Sequence, residues 1–184
     1  MIFGLFGGKP NIFVIAGTVI DITNRKIREI REHKSQFVID FFVVPNIFRC
    51  VGLLPLLRKT GREKLLNWLE ENFINAGVPE LVTMTLEDIY GTSDLKRIFE
   101  LGARAQEAQN LTWAAVEEVM KDQERGIANK LPKAYEYVES KAPYNLDSKP
   151  VRNLLLCSAC IQFLSQKGIE DLDYFEKVLF IVKE

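Results

Sequence analysis

Apolar side chains recur every three or four residues along most of this chain, which is the spacing of one face of an α-helix. The longest such series lies in the first third of the sequence and is interrupted only by the polar Thr23 and Lys34: Phe13, Ala16, Ile20, Thr23, Ile27, Ile30, Lys34, Phe37, Phe41 and Val44. The series predicts one long apolar helix from about Asn11 to Val44, ended by Pro45 because proline removes a helical hydrogen bond. Gly17 and Asn24 are the positions at which this helix would break.

The same region is also rich in β-branched residues, which favour strands. The alternative is therefore a small β-meander, with strands near 12–23, 26–32 and 36–44, within an α+β fold. Strict two-residue alternation fails in its middle, since Ile27 and Ile30 have opposite parity. We favour the helix, because the helical series is longer than the strand signal and tertiary context often overrides propensity.

Helix start and stop signals follow one another from Thr60 onward. Thr60 and Glu63 have the spacing of a capping box, and Gly77 and Pro79 end the helix that follows. Its apolar stripe consists of Leu65, Leu66, Trp68, Leu69, Phe73 and Ile74. Further helices are predicted to begin at Thr85, Ser93 and Thr112.

Two prolines mark later helix starts, since proline fits the first helical position. Pro132 opens a helix that stops before Pro143, and Pro150 opens one that ends at Gly168. A last helix begins near Asp171 and carries Leu172, Phe175, Val178, Leu179 and Val182. The pattern predicts an all-α multi-helix bundle of about six to eight helices with a long apolar N-terminal helix.

The segment from Phe37 to Arg58 is the most apolar part of the chain and is nearly long enough to cross a bilayer. Asp40 and Arg49 oppose a crossing, since each charge costs about 2.5–3.5 kcal/mol near the membrane centre. We expect this segment to lie against the bundle or at an interface. The chain is therefore divided into an apolar docking region, residues 1–58, and a helical bundle domain, residues 59–184.

The first six residues add large apolar side chains separated by glycine, which disfavours a stable helix. They are predicted to form a terminal arm that covers the core or inserts into a partner. Together with the helical series they give the predicted partner interface: Phe3, Leu5, Phe6, Phe13, Ile20, Ile27, Ile30, Phe37, Phe41, Val44 and Phe48.

Composition narrows the function classes only slightly. The 184 residues include 24 Lys and Arg against 25 Asp and Glu, a balance with no overall preference for nucleic acid or anionic lipid. Basic residues cluster at 25–34 and 58–64, but Glu29, Glu32 and Glu63 interrupt both clusters, which disfavours phosphate binding. The odd number of cysteines, three, argues against a disulfide framework and therefore favours a reducing, cytoplasmic location. Association with a membrane is the alternative for the location.

Candidate catalytic and metal-binding residues are few. Cys157 and Cys160 have the spacing of redox and zinc sites, but they lie well inside an apolar helix and are expected to be core residues. His33, the single histidine, lies among charged residues that indicate a solvated surface. The carboxylate pairs fit solvated helix faces and caps: Glu70 with Glu71, Glu117 with Glu118, and Glu170 with Asp173. We predict no catalytic residue, metal ligand or cofactor.

These observations favour a non-enzymatic helical adaptor or structural subunit that binds itself or another protein subunit, in a homo-oligomer or a larger assembly. A second hypothesis is a peripheral membrane protein whose N-terminal third lies at the lipid interface. A third is a nucleic-acid-associated regulator that uses the basic residues 25–34.

Overall fold

The computed structural model describes residues 8–83 and 131–183. Their α-helices are α1 (Ile12–His33), α2 (Gln36–Val51), α3 (Leu53–Lys59), α4 (Glu63–Asn75), α5 (Leu131–Ser140), α6 (Lys149–Gln166) and α7 (Leu172–Val182), with a 3-10 helix at Pro79–Thr83. No β-strand occurs in these two ranges. The all-α prediction is confirmed, and the alternative β-meander is wrong.

Helix α1 begins where the sequence predicts, because the Asn11 side chain accepts a hydrogen bond from the backbone N–H of Phe13 at 2.9 Å. It continues through Gly17 and Asn24, so neither of the two expected breaks occurs. The break lies instead at Lys34, whose φ of 50° is left-handed and ends the helix. The predicted single long helix is therefore two helices, α1 and α2, joined by a short turn.

Helix α2 passes through Pro45, so the prediction that proline ends this helix is wrong. A proline inside a helix costs about 3 kcal/mol. Val44, Ile47 and Phe48 are all buried around it, and burying each such side chain contributes about 1.5–3 kcal/mol. Continuing the helix keeps all three in the core, which outweighs the cost of the proline.

Helix α4 confirms the predicted helix after Thr60 but not its predicted cap. The Thr60 hydroxyl donates to the carbonyl of Leu56 at 2.8 Å, so it belongs to the end of α3 and not to the start of α4. The predicted stripe is buried at Leu65, Leu69 and Phe73, whereas Ile74 is exposed. The helix ends at Asn75, before Gly77 with its φ of 87°.

Helices α5, α6 and α7 agree with the proline, glycine and cap signals. Pro150 lies in the first turn of α6, and Gly168 has a φ of 66° just after its end. Asp171 caps α7 by accepting from the N–H of Tyr174 at 2.9 Å. The helix starts expected at Thr85, Ser93 and Thr112 lie outside the described residues, and so do Glu117 and Glu118.

Helix α6 is central to the packing of the described helices. It contacts α1, α2, α4 and α7, and α1 also packs along α7. One hydrophobic core therefore contains side chains from both sides of residue 58, among them Val44, Leu57, Leu65, Ile161 and Phe175. The helices of the predicted docking region are thus packed on the helices of the predicted bundle domain.

The stretch Gln36–Lys59, which covers α2 and α3, is long and apolar enough to cross a membrane, with a mean hydropathy of 1.9. No other helix among the described residues meets this criterion. Two thirds of its most apolar part, 67%, is buried inside the chain. This agrees with the expectation that the segment lies against the bundle.

Candidate functional site

The predicted interface residues fall into three groups in the structure. Phe3, Leu5 and Phe6 lie outside the described residues. Ile27, Val44 and Phe48 are buried in the core of this chain, whereas Ile20, Ile30 and Phe41 are half-buried. Only Phe13 and Phe37 are largely exposed, at 70% and 72%. The helical series therefore does not form one continuous exposed surface.

Phe13 lies where the chain enters α1, beside the start of α7. The Tyr174 hydroxyl donates to the carbonyl of Pro10 at 2.7 Å, and Lys9 forms an ion pair with Asp171. This hydrogen bond with Lys9 is the main reason that the pKa of Asp171 is lowered. The entry to α1 is thus fixed on the body of the protein while the Phe13 ring faces solvent.

Phe37 lies beyond the other end of α1, in the first turn of α2, next to a cavity of about 110 Å³. We call it the aromatic–acidic cavity, and its lining consists of Phe37, Asp40, Phe41, Val44, Glu139 and Ala142. The rings of Phe37 and Phe41 are stacked, with centroids 6.3 Å apart and planes 23° apart. The cavity therefore combines two aromatic rings from α2 with one carboxylate from each of α2 and α5.

Hydrogen bonds hold the Asp40 carboxylate in place. Its Oδ1 atom accepts from the Gln36 side-chain amide at 2.8 Å and from the backbone N–H of Tyr144 at 3.1 Å. The Tyr144 hydroxyl is buried and donates to the carbonyl of Val138. Burial raises the pKa of Tyr144, and the nearby charge of Asp40 raises it further. Asp40 thereby connects the start of α2 to the loop after α5.

A buried polar network occupies the other half of α2. Arg49 is only 1% exposed, and its Nη1 donates to Ser158 Oγ at 2.7 Å and to Asn46 Oδ1 at 3.2 Å. Ser158 Oγ donates to the same Asn46 oxygen at 2.8 Å. The Asn46 amide nitrogen donates to the carbonyl of Phe42 at 2.6 Å, next to Pro45. These bonds fix how α2 lies on α6.

The three cysteines lie beside this network and are all buried as free thiols. The Cys50 thiol donates to the carbonyl of Leu154 at 3.3 Å, across to α6. Burial raises the pKa of the Cys157 and Cys160 thiols, and the neighbouring Cys50 adds to both shifts. Such thiols are protonated and poorly reactive at neutral pH. Among the described residues, no group of three His, Cys, Asp or Glu side chains is arranged to hold a metal ion.

The charged candidates of the sequence lie on the surface. His33 is exposed at the end of α1. In the first basic cluster, Lys26 pairs with Glu29 at 3.3 Å, and Arg31 pairs with Asp147. In the second cluster, Arg62 pairs with both Asp173 and Glu176. Intramolecular carboxylates therefore neutralise part of each cluster.

Sequence reasoning missed two of the residues that the structure brings together. In the sequence, Asp40 stands out only as a charge that opposes membrane crossing, and no pattern marks Glu139. A single carboxylate within the apolar run around Phe37 and Phe41 was the available signal. Glu139 could not have been paired with Asp40 from the sequence, because about 100 residues separate them and only the packing of α5 on α2 brings them together.

Comparison with known proteins adds no relative: no family model, curated protein or solved structure matches this chain.

Proposed function

We propose that the protein is a non-enzymatic helical adaptor or structural subunit, which binds another copy of itself or another protein through exposed aromatic side chains of residues 8–58. The observation that carries the proposal is the position of Phe37, which is 72% exposed and stacked on Phe41 beside a cavity. Aromatic side chains, including Phe, are enriched at the cores of protein interfaces.

Phe37 differs from a core phenylalanine in the free energy that its burial would contribute. Covering such a side chain contributes about 1.5–3 kcal/mol, which the isolated chain forgoes at Phe37 and Phe13. A partner that covers both rings would recover this free energy on binding. The two rings lie at separate places on the docking region, so a partner that contacts both must be extended or must be present in more than one copy.

The solution mass of the full chain tests the proposal. We expect light scattering without detergent to give a defined oligomer, a multiple of 21.1 kDa, for the wild type. The double variant Phe13→Ser, Phe37→Ser should shift towards 21.1 kDa. Ile74→Ser is the matched control, since Ile74 is also exposed but lies on α4. A wild-type monomer that captures no partner, or a double variant with the wild-type mass, would contradict the proposal.

A peripheral membrane protein is the second candidate, and the apolar stretch Gln36–Lys59 is the observation that favours it. Its buried side chains would have to leave the core to reach lipid, which is why we rank it below the adaptor. Flotation with phosphatidylcholine–phosphatidylserine vesicles separates the two. An adaptor stays in the dense fraction with and without vesicles, whereas a lipid-binding protein rises with them.

A cytoplasmic location is part of the same proposal. The three free thiols support it, because thiols persist in reducing compartments.

A further inference from the structure

The aromatic–acidic cavity has the size and chemistry to hold the charged end of a basic side chain. Its volume of about 110 Å³ is several times the roughly 10–15 Å³ that one water molecule needs on the same measure, so the cavity has room for a larger group. A guanidinium group has four heavy atoms. Phe37 lines the cavity and is itself largely exposed, which leaves room for the rest of a partner chain.

The charge of the cavity is negative and is not neutralised by the part of the chain that the structure describes. Within residues 8–83 and 131–183, no Lys or Arg forms an ion pair with Asp40 or Glu139. Asp40 receives its two hydrogen bonds on Oδ1, so its Oδ2 is available to a further donor. The nearby Lys141 directs its ammonium group over the Tyr137 ring, 4.9 Å from the centroid. Two acidic residues thus line a small space, and no described Lys or Arg forms an ion pair with either of them.

The geometry is also held in place before a ligand arrives. Asp40 is fixed by Gln36 and by the Tyr144 backbone, and the Phe37 ring is stacked on Phe41. Groups that are already ordered lose little conformational entropy on binding. A cation that enters would therefore meet the ordered Asp40 carboxylate and two stacked aromatic rings at a low entropic cost.

We propose that this cavity binds an arginine side chain from a basic segment of the protein partner. The proposal rests on the proposed adaptor function and specifies the chemistry of its partner. Arginine fits better than lysine, because its planar guanidinium stacks on aromatic rings and donates to a carboxylate at the same time. Charge-assisted hydrogen bonds to Asp40 and Glu139 would fix the partner in register beside Phe37.

Nuclear magnetic resonance titration of the full chain with a blocked tripeptide, acetyl-Ala-Arg-Ala-amide, tests this directly. We expect saturable shifts at Phe37, Asp40, Phe41 and Glu139, with a millimolar dissociation constant because one side chain is a small ligand. The Lys tripeptide should bind more weakly, and the Gln tripeptide should cause no saturable shift at these residues.

Variants distinguish the cavity from a general attraction of charges. Asp40→Asn keeps the acceptor for the Tyr144 N–H, so the fold is retained while the charge is lost. Combined with Glu139→Gln, it should weaken binding of the Arg tripeptide at least about tenfold, because the charge-assisted bonds are removed. The matched control is Glu136→Gln, an exposed residue of α5 that does not line the cavity. The control should bind the peptide like the wild type.

Equal shifts with the Arg and Gln tripeptides, or wild-type affinity of the Asp40→Asn, Glu139→Gln variant, would overturn the inference. The same holds if the Arg tripeptide shifts only residues outside the cavity. This failure differs from failure of the adaptor function, which is measured by solution mass. The wild type could form an oligomer that the double variant Phe13→Ser, Phe37→Ser loses, and yet not bind the Arg tripeptide. That result would keep the adaptor function and exclude the arginine site.

Discussion

The two halves of α2 carry similar apolar sequences but have different surroundings. Phe37 and Phe48 lie in the same helix, yet the first is 72% exposed and the second 1%. The first half also carries the exposed side of the aromatic–acidic cavity, whereas the second half carries Arg49 in a fully enclosed network. The apolar character of a segment therefore predicts that it tends to be buried, but it does not predict which part of the chain covers it.

The charged residues of α2 also differ in burial between the two halves, although a charged side chain is expected to be exposed. Asp40 lies in the half-exposed part, where a solvated carboxylate costs little. Arg49 is buried, and a buried cation is costly unless hydrogen bonds replace its water. Asn46 and Ser158 accept from it at hydrogen-bonding distance. The buried half of α2 thus depends on specific hydrogen-bond partners, whereas the carboxylate in the other half stays accessible.

The largest expected effect of a single substitution is on stability, and it distinguishes the two halves of α2 directly. Phe48→Ala should lower the free energy of unfolding by about 3–5 kcal/mol, because it leaves a cavity in a core without solvent access. Phe37→Ala should change it by less than about 0.5 kcal/mol, as for other surface substitutions. Urea unfolding followed by circular dichroism measures both. Equal losses for the two variants would show that Phe37 contributes to the core.

The thiols at the contact between the buried half of α2 and α6 give a second comparison, in reaction rate. Because burial raises the pKa of Cys157 and Cys160, the reactive thiolate stays scarce until the pH is well above the ordinary range for cysteine. With a disulfide reagent at pH 8, the native thiols should react at least about 100-fold more slowly than the unfolded chain, since reaction requires local opening. Rapid modification of any of the three in native buffer would mean that the packing of α2 on α6 opens readily.

The smallest of these effects concerns the polar side chains of the helix. Asn46→Ala should cost about 2 kcal/mol, because Arg49 and Ser158 each lose a buried acceptor. Gln36→Ala removes a hydrogen bond of similar length to Asp40, but at the exposed end, and should cost less than about 0.5 kcal/mol. Thermal unfolding of the two variants side by side measures the difference. A large loss at Gln36 would indicate that Asp40 stabilises the fold as well as lining the cavity.

Local signals in the sequence determined where several of the described helices begin and end. Asn11 and Asp171 cap the helices that follow them, and Gly77 and Gly168 adopt the left-handed conformations that follow helix ends. These signals are reliable because a cap or a left-handed glycine involves only residues within one turn. The series of apolar residues every three or four positions likewise favoured helices over strands correctly.

The tertiary structure alone decided what each helix face contacts. Pro45 remains inside a helix because the core around it outweighs its cost, and Thr60 bonds to α3 because the chain turns there. Arg49 donates to Ser158, more than 100 residues away, and Asp40 lines the same cavity as Glu139 across a similar separation. The periodicity of the sequence indicates which face of a helix is buried on average. Which segment covers that face depends on contacts between distant parts of the chain. For this reason Phe37 and Phe48 could not be distinguished from the sequence, and the cavity beside Phe37 emerged only from the packed helices.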